Sequence, residues 1–275
     1  MDDARLAAER ALAEDQAGYG DLTGRAFDGP GRARVEAREE GVLSGSEPFV
    51  AAARLVDPEL AVTFVVRDGG RFAAGATLCA LEGRFASILA LERTGLNFLA
   101  RLSGVATLTA RFVAEAEGTS ARIAGTRKTT PGLRALERAA MAHGGAAAHR
   151  FGLFDAAMIK DNHVAAAGGV REAVARVRAG LAHAHGLIVE VDTLEQLDEA
   201  LACGVRAVLL DNMDLETVRA AVARVAGRAV VEVSGGVRLE NVRALADAGP
   251  DIISVGALTT RAPWIDLHLV AEAVS

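Results

Sequence analysis

Two lysines stand alone in this chain. Of its 30 Lys and Arg residues only Lys128 and Lys160 are lysine, and each sits just after a short apolar run. Lysine is a compact, rotatable point charge, whereas arginine presents a rigid planar fork. Lysine kept at two equivalent strand ends of an arginine-using chain therefore points to chemistry that needs the former. Between Arg122 and Lys160 lie seven Lys/Arg and only two acids, Glu137 and Asp155, although the whole chain has a formal charge of −6. A cationic island in an acidic protein suits a small polyanionic ligand. Nucleic acid asks instead for a broad basic face, and aromatic content of 4% leaves little to stack on bases. No nucleic-acid partner is expected.

The elements that must hold these groups follow from periodicity. At 275 residues the chain is one large domain or two smaller ones. Residues 2–14 have helical rhythm, and β-like runs at 33–37, 42–44, 61–66 and 76–81 follow, punctuated by glycines. This half reads as a small α/β sandwich. Residues 84–117 form a helix with the stripe Ile88, Leu91, Leu96, Leu99 and Leu102, interrupted at Ser103-Gly104, and the domain boundary falls near residue 107. Apolar runs at 122–125, 157–159, 187–191, 207–210, 229–233 and 252–255 then alternate with amphipathic patterns at 131–142, 169–182, 193–202, 214–226 and 238–248. Such alternation means a parallel sheet covered by helices. With six or seven strands the expectation is an open, incomplete parallel α/β barrel.

Catalytic groups of parallel barrels collect at the carboxyl ends of the strands. Those ends carry Arg127 and Lys128, then Lys160-Asp161-Asn162, Glu190 and Asp192, Asp211-Asn212, Ser234-Gly235-Gly236, and Gly256-Ala257. Backbone N–H groups of the two glycine turns suit a phosphate, and the plainer reading is a tight strand–helix turn. Glu190 and Asp211 are read as matched positions on neighbouring strands, facing one gap. There they suit Mg²⁺ beside a phosphate, or salt bridges to the lysines, and the two roles are compatible. Arg127, Lys128, His149, Arg150 and Lys160 are too many cations for one phosphate, so the surplus fits a carboxylate-bearing second ligand. Arg134 and Arg138 read as solvated helix positions; His143, His183, His185 and His268 read as structural.

Cys79 and Cys203 lie far apart, make no CxxC, and fit a reducing cytoplasm. The opening stretch is an acidic amphipathic helix with no signal-peptide pattern, and no apolar run is long enough for a bilayer. A cytoplasmic protein with no membrane partner is the expectation.

Motifs along nearly the whole chain resemble the quinolinate phosphoribosyltransferase family, also called nicotinate-nucleotide pyrophosphorylase (carboxylating). They include Gly20-Asp21-Leu22-Thr23, Glu92-Arg93-Thr94-Gly95-Leu96-Asn97, Leu102-Ser103-Gly104-Val105-Ala106-Thr107, Gly125-Thr126-Arg127-Lys128-Thr129-Thr130-Pro131-Gly132 and Ile159-Lys160-Asp161-Asn162-His163. The resemblance implies a sandwich domain over 1–107, a barrel domain over 108–263, and a tail, 264–275, returning to the first. It implies transfer of phosphoribosyl from 5-phosphoribosyl-1-pyrophosphate to quinolinate with decarboxylation, in NAD biosynthesis. By the same resemblance Arg93, Arg127, His149 and Arg150 clamp quinolinate's carboxylates, and Lys128 and Lys160 neutralise carboxylate and pyrophosphate charge. Glu190 and Asp211 hold Mg²⁺, while Ser234, Gly235, Gly236, Gly256 and Ala257 seat phosphate. A homodimer is implied, with Arg93 reaching the partner's site. Ala148 and Thr260-Arg261 depart from the family's pattern. The alternative is a sister phosphoribosyltransferase of the same fold, of the molybdate-transport-associated type, with another acceptor.

Overall fold

A computed structural model describes residues 2–274. Two compact units emerge: Met1–Ala110 with Thr129–Gly145 and Leu258–Ser275, and Arg111–Lys128 with Ala146–Ala257. The segment Thr129–Gly145, which the strand–helix rhythm assigned to the barrel, thus clusters with the first unit.

In the first unit, α1 (Asp3–Gln16) starts at Asp2, whose carboxylate accepts from the Arg5 N–H at 3.0 Å. Strands β1 (Pro30–Ala37), β3 (Ala61–Phe64), β5 (Thr77–Arg84) and β12 (Leu267–Ala273) form an antiparallel sheet in the order β12-β1-β5-β3; β2 (Gly41–Val42) and β4 (Arg71–Phe72) pair separately. Residues of β1 alternate exposed and buried, the period-two signature of a sheet with one covered face. Val35, Leu78, Phe49, Ile88, Leu91 and Leu99 are fully buried, and α2 (Ser46–Val56) supplies Phe49. The strand β12 lies in register with β1, Glu36 opposite His268, where the sequence reading had assigned no strand.

The long helix α3 (Phe85–Glu115) runs unbroken through Ser103-Gly104, where an interruption was expected. The small residues serve close approach instead. A Cβ on Gly104 would lie 1.8 Å from the Pro263 carbonyl oxygen, and Ser103 Oγ donates to the Ser44 carbonyl at 3.1 Å. Helix α4 (Arg134–His143) then follows the Thr130–Leu133 turn.

The second unit is built on six strands, β6 (Arg122–Ala124), β7 (Ala156–Ile159), β8 (Gly186–Val191), β9 (Ala207–Asp211), β10 (Val230–Ser234) and β11 (Ile252–Ser254). Their order is β6-β11-β10-β9-β8-β7 and every pairing is parallel. Ala147 adds a single parallel bridge to Ala124 beyond β6. The sheet does not close, as expected of an incomplete barrel. Helices α5 (Asp161–Ala167), α6 (Val170–Gly180), α7 (Leu194–Ala202), α8 (Leu215–Val225) and α9 (Leu239–Asp247) complete the alternation, and α10 (Ala257–Thr260) starts at the unit's last residue. Val189, Val191, Val208, Leu210, Val231, Val233, Ile123 and Ile253 are all buried on one face, and each is worth about 1.5–3 kcal/mol of transfer energy. Side chains alternate along a strand, so the opposite face receives Glu190, Leu209, Asp211, Glu232, Ser234 and Ser254. The polar residues share one face.

Candidate active site

The two lysines occupy comparable loops. Lys128 follows β6, its N–H donating to Thr126 Oγ1 at 3.1 Å, and its side chain lies along Gly256: a Cβ there would meet Lys128 Cδ at 3.2 Å and Nζ at 3.9 Å. Glycine at 256 is therefore what lets Lys128 approach the turn after β11. Lys160 caps α5 with extended backbone, and its N–H donates to the Nδ1 of His163 at 3.0 Å. Three residues on from the cap, His163 thus closes half of a capping box, which explains the spacing inside Lys160-Asp161-Asn162-His163. The Lys160 ammonium pairs with Glu190, whose side chain is 9% exposed.

Arg127 and Arg150 lie close enough to oppose each other. Burial first, and then the charge of Arg127, push the Arg150 guanidinium below its ordinary value, while Asp155, Glu232 and Glu190 pull it back up. Arg150 donates to the Ala156 carbonyl at 3.2 Å and to Met158 Sδ at 3.4 Å. The Nε of Arg127 is buried and has no hydrogen-bond partner among the described residues. Asp155 accepts from the N–H groups of Phe151 and, at 3.1 Å, Gly152, and the Phe151 N–H leads in holding its carboxyl below the usual range. That bracket shapes the loop after Arg150, on which Leu153 and Phe154 are exposed.

His149 meets a group that strand-end reading missed. Its Nε2 lies 3.1 Å from Glu232 Oε1, with side chains only 9% and 6% exposed. Glu232 sits inside β10 rather than at its end; the available signal was a lone acid inside Val-Val-Glu-Val.

The carboxylates call for a correction. Glu190 is opposite Leu209, not Asp211, so the two acids are not matched. Asp211 stands two residues further along β9, on the same face, about 7 Å onward along the strand direction. They are diagonal neighbours because β8 and β9 pair two residues off from the register that would set Glu190 against Asp211. Asp211 accepts from its neighbour Asn212 Nδ2 at 2.8 Å. Among the described residues no three His, Cys, Asp or Glu come together as a metal cage. Two carboxylates on one polar face fit a hard cation that draws its remaining oxygens from water and phosphate.

The glycine turns are built from left-handed glycine backbone and side-chain ties. Gly235 has φ +87°, and a Cβ there would lie 2.2 Å from Asn212 Oδ1 and 2.9 Å from its backbone nitrogen. The Asn212 N–H in turn donates to the Ser234 carbonyl at 2.9 Å. Gly236, φ +62°, faces open space, and its carbonyl accepts from Asn241 Nδ2 at 3.0 Å. Asn241 also accepts the Arg238 N–H at 2.8 Å, locking the turn onto α9. Ser234, Gly235, Gly236, Gly256 and Ala257 all lie at strand ends of the second unit.

Arg93 is the exception in location. It belongs to the first unit, exposed on α3, beside Asn97, Arg101, Phe98 and Trp264 around a cavity of about 310 Å³. Arg134 and Arg138 are half-buried rather than solvated, Arg134 Nε donating to Thr129 Oγ1 at 3.0 Å. His143 is structural, its Nδ1 2.9 Å from Ser44 Oγ.

Sequence profiles of the quinolinate phosphoribosyl transferase N-terminal and C-terminal domains match residues 21–103 and 105–270. The nicotinate-nucleotide pyrophosphorylase [carboxylating] of Mycobacterium leprae is 42% identical over 282 residues, covering 98% of this chain and 97% of that one. A probable enzyme of the same name from Synechocystis is 40% identical over 263 residues, covering 94% and 89%. The solved nicotinate-nucleotide pyrophosphorylase of Francisella tularensis superposes with a TM-score of 0.95 at 36% identity, covering 98% of this chain and 96% of that one. The Ehrlichia chaffeensis structure gives 0.92 at 35%, covering 96% and 97%. With both domain profiles matched in order and relatives aligned end to end, the chain belongs to the quinolinate phosphoribosyl transferase family.

Proposed function

We propose that this chain transfers phosphoribosyl from 5-phosphoribosyl-1-pyrophosphate to quinolinate and decarboxylates the adduct, giving nicotinate mononucleotide, pyrophosphate and CO₂ for NAD biosynthesis. The observation that carries it is the cluster on the second unit: Arg127 and Arg150 in electrostatic contact, His149 on Glu232 and Lys160 on Glu190. A dicarboxylate acceptor and a pyrophosphate donor together supply the anions such a cluster needs.

Arg127, His149 and Arg150 bind the two carboxylates of quinolinate and aim its ring nitrogen at C1 of the ribose. As the nitrogen–carbon bond forms, the bond to pyrophosphate breaks and its electron pair leaves with the pyrophosphate. Lys128, lying along Gly256, and Lys160 offset that departing charge, and Ser234, Gly235, Gly236, Gly256 and Ala257 seat phosphate through backbone N–H groups. The carboxylates Glu190 and Asp211 stabilise positive charge on the oxocarbenium-like ribose. In the product-side adduct the ring nitrogen is cationic, so its positive charge stabilises the electron pair left on C2 when CO₂ departs, and a proton then bonds to that pair. Mg²⁺, when bound, is held by Glu190 and Asp211 and neutralises pyrophosphate oxygens. The working unit is a homodimer in the cytoplasm, with Arg93 of each subunit completing the other's site.

The test is purified protein with quinolinate, 5-phosphoribosyl-1-pyrophosphate and Mg²⁺, followed for nicotinate mononucleotide and released CO₂. Product is expected; retention of the donor without product overturns the acceptor assignment. Mixing inactive Arg93→Ala and Lys160→Ala subunits under exchange is expected to restore part of the activity, and no recovery overturns the shared site.

A further inference from the structure

We infer that Glu232 is a positioning residue for His149, and that this pair fixes the ring edge at which the acceptor's carboxylate is received. The inference rests on the quinolinate reading above.

Glu232 is 4% exposed between Val231 at 3% and Val233 at 1%. A carboxylate at such a place costs several kcal/mol unless it is paired, and an apolar residue would pack the strand more cheaply. Its partner is His149 Nε2 at 3.1 Å. A carboxylate only accepts, so one ring proton lies on Nε2, and a hydrogen bond from this ring to a ligand carboxylate uses a second proton, on Nδ1, as the doubly protonated ring provides. The register gives the pair its setting. Glu232 is opposite Leu209, and Leu209 is opposite Glu190, so the two acids stand in one row of the polar face, roughly 10 Å apart. Each carries one basic side chain of the cluster, His149 on Glu232 and Lys160 on Glu190. Arg150 feels the charge of both acids. Glu232 therefore holds an acceptor-binding side chain in one orientation from behind, without standing at a strand end where it would meet the ligand.

The experiment uses the purified full-length protein and two variants. Glu232→Ala removes the acceptor; Glu232→Gln keeps its shape and an acceptor oxygen. Loss of one buried hydrogen bond to a ligand-orienting group corresponds to about tenfold or more in quinolinate KM. The expected result for Glu232→Ala is that rise with the KM for the phosphoribosyl donor held within about twofold, and recovery of most of it in Glu232→Gln. A wild-type quinolinate KM in Glu232→Ala overturns the inference. Both KM values rising together, with no recovery in Glu232→Gln, also overturns it, since that is the behaviour of a merely structural residue. Imidazole ¹⁵N spectra decide independently of turnover: a protected Nε2–H signal is expected in wild type and Glu232→Gln and lost in Glu232→Ala. Its absence from wild type sinks the pairing even if the enzyme is active. An inactive wild type that keeps the signal leaves the pair standing and rejects only the quinolinate reading.

Discussion

Glu137 is the most demanding residue in the first unit. Its side chain is fully buried on α4, and it accepts from Arg101 Nη2 at 2.6 Å and Nε at 3.2 Å, from the Thr130 N–H at 2.9 Å and from Thr130 Oγ1 at 2.8 Å. Arg101 spends its remaining donors on the carbonyls of Thr259 at 2.8 Å and Ala262 at 3.3 Å. Replacing Glu137 by Ala leaves a guanidinium only 17% exposed without its counter-charge and strips the Thr130 N–H of its acceptor. Removing one partner of a buried ion pair costs about 3–5 kcal/mol, and an orphaned N–H adds about 1–3 kcal/mol. For a chain of this size each kcal/mol lowers the melting temperature by about 2–4 °C, so the combined loss of about 4–8 kcal/mol gives an expected fall of roughly 8–32 °C. Calorimetry reads the shift directly, and urea titration of Glu137→Ala, Arg101→Met and the double variant completes a thermodynamic cycle. The double variant should lose much less than the sum of the singles, since neither charge is then left alone. A single variant within about 1 kcal/mol of wild type, or an additive cycle, refutes the reasoning.

Lys160→Arg should abolish turnover although the charge is retained, because a planar fork cannot take the place of the ammonium on Glu190; a wild-type kcat would sink the argument from the two lysines. Gly235→Ala forces a Cβ against Asn212 at positive φ, with an expected cost of about 1–3 kcal/mol and a raised KM for the phosphoribosyl donor; an unchanged melting temperature and KM would rule this out. Burial pushes the Cys79 thiol up from its ordinary 9.0 to about 12, against the Val35 N–H. The thiol therefore stays protonated in the folded chain across pH 9, and stability falls as pH rises from 9.0 towards 12 because only the unfolded thiol ionises there. A disulfide reagent at neutral pH should label Cys203 alone until denaturant is added, and a second fast thiol would contradict the burial argument.

Strand and helix alternation was legible because the period changes abruptly, from continuous apolar runs such as 207–210 to amphipathic patterns such as 214–226. The cations were legible too, since Lys128 and Lys160 sit just after such runs. What a single strand's pattern does not contain is its offset against a neighbour. Glu190 and Asp211 looked matched because each is the acid near the end of its own apolar run, yet pairing sets Glu190 against Leu209. Glu232 escaped because only strand ends were read, and its partner His149 lies 83 residues away. Gly104 looked like a helix break because propensity speaks of the helix alone, whereas the residue answers to Pro263, which approaches from elsewhere in the chain. The strand β12 escaped because residues 267–271 are all half-buried and lack the strong alternation of β1.

Sheet parity is what converts this pattern into a site. A parallel strand covered by helices needs one unbroken apolar face, which Val189, Val191, Val208, Leu210, Val231 and Val233 provide. Every residue between them must then point the other way, so an acid tolerated on that side is delivered to the same surface from each strand in turn. Glu190, Asp211 and Glu232 come from three successive strands, and the first and third each hold a basic side chain, Lys160 and His149. The cations sit on the loops that follow β6 and β7 and beside the Ala147 bridge, the two ends of an open sheet, while the acids come from its middle. Opposite charges are thus kept on separate elements and meet only across the polar face. An acidic chain can in this way present a cationic pocket, its buried carboxylates holding the orientation of the cations that receive the ligand.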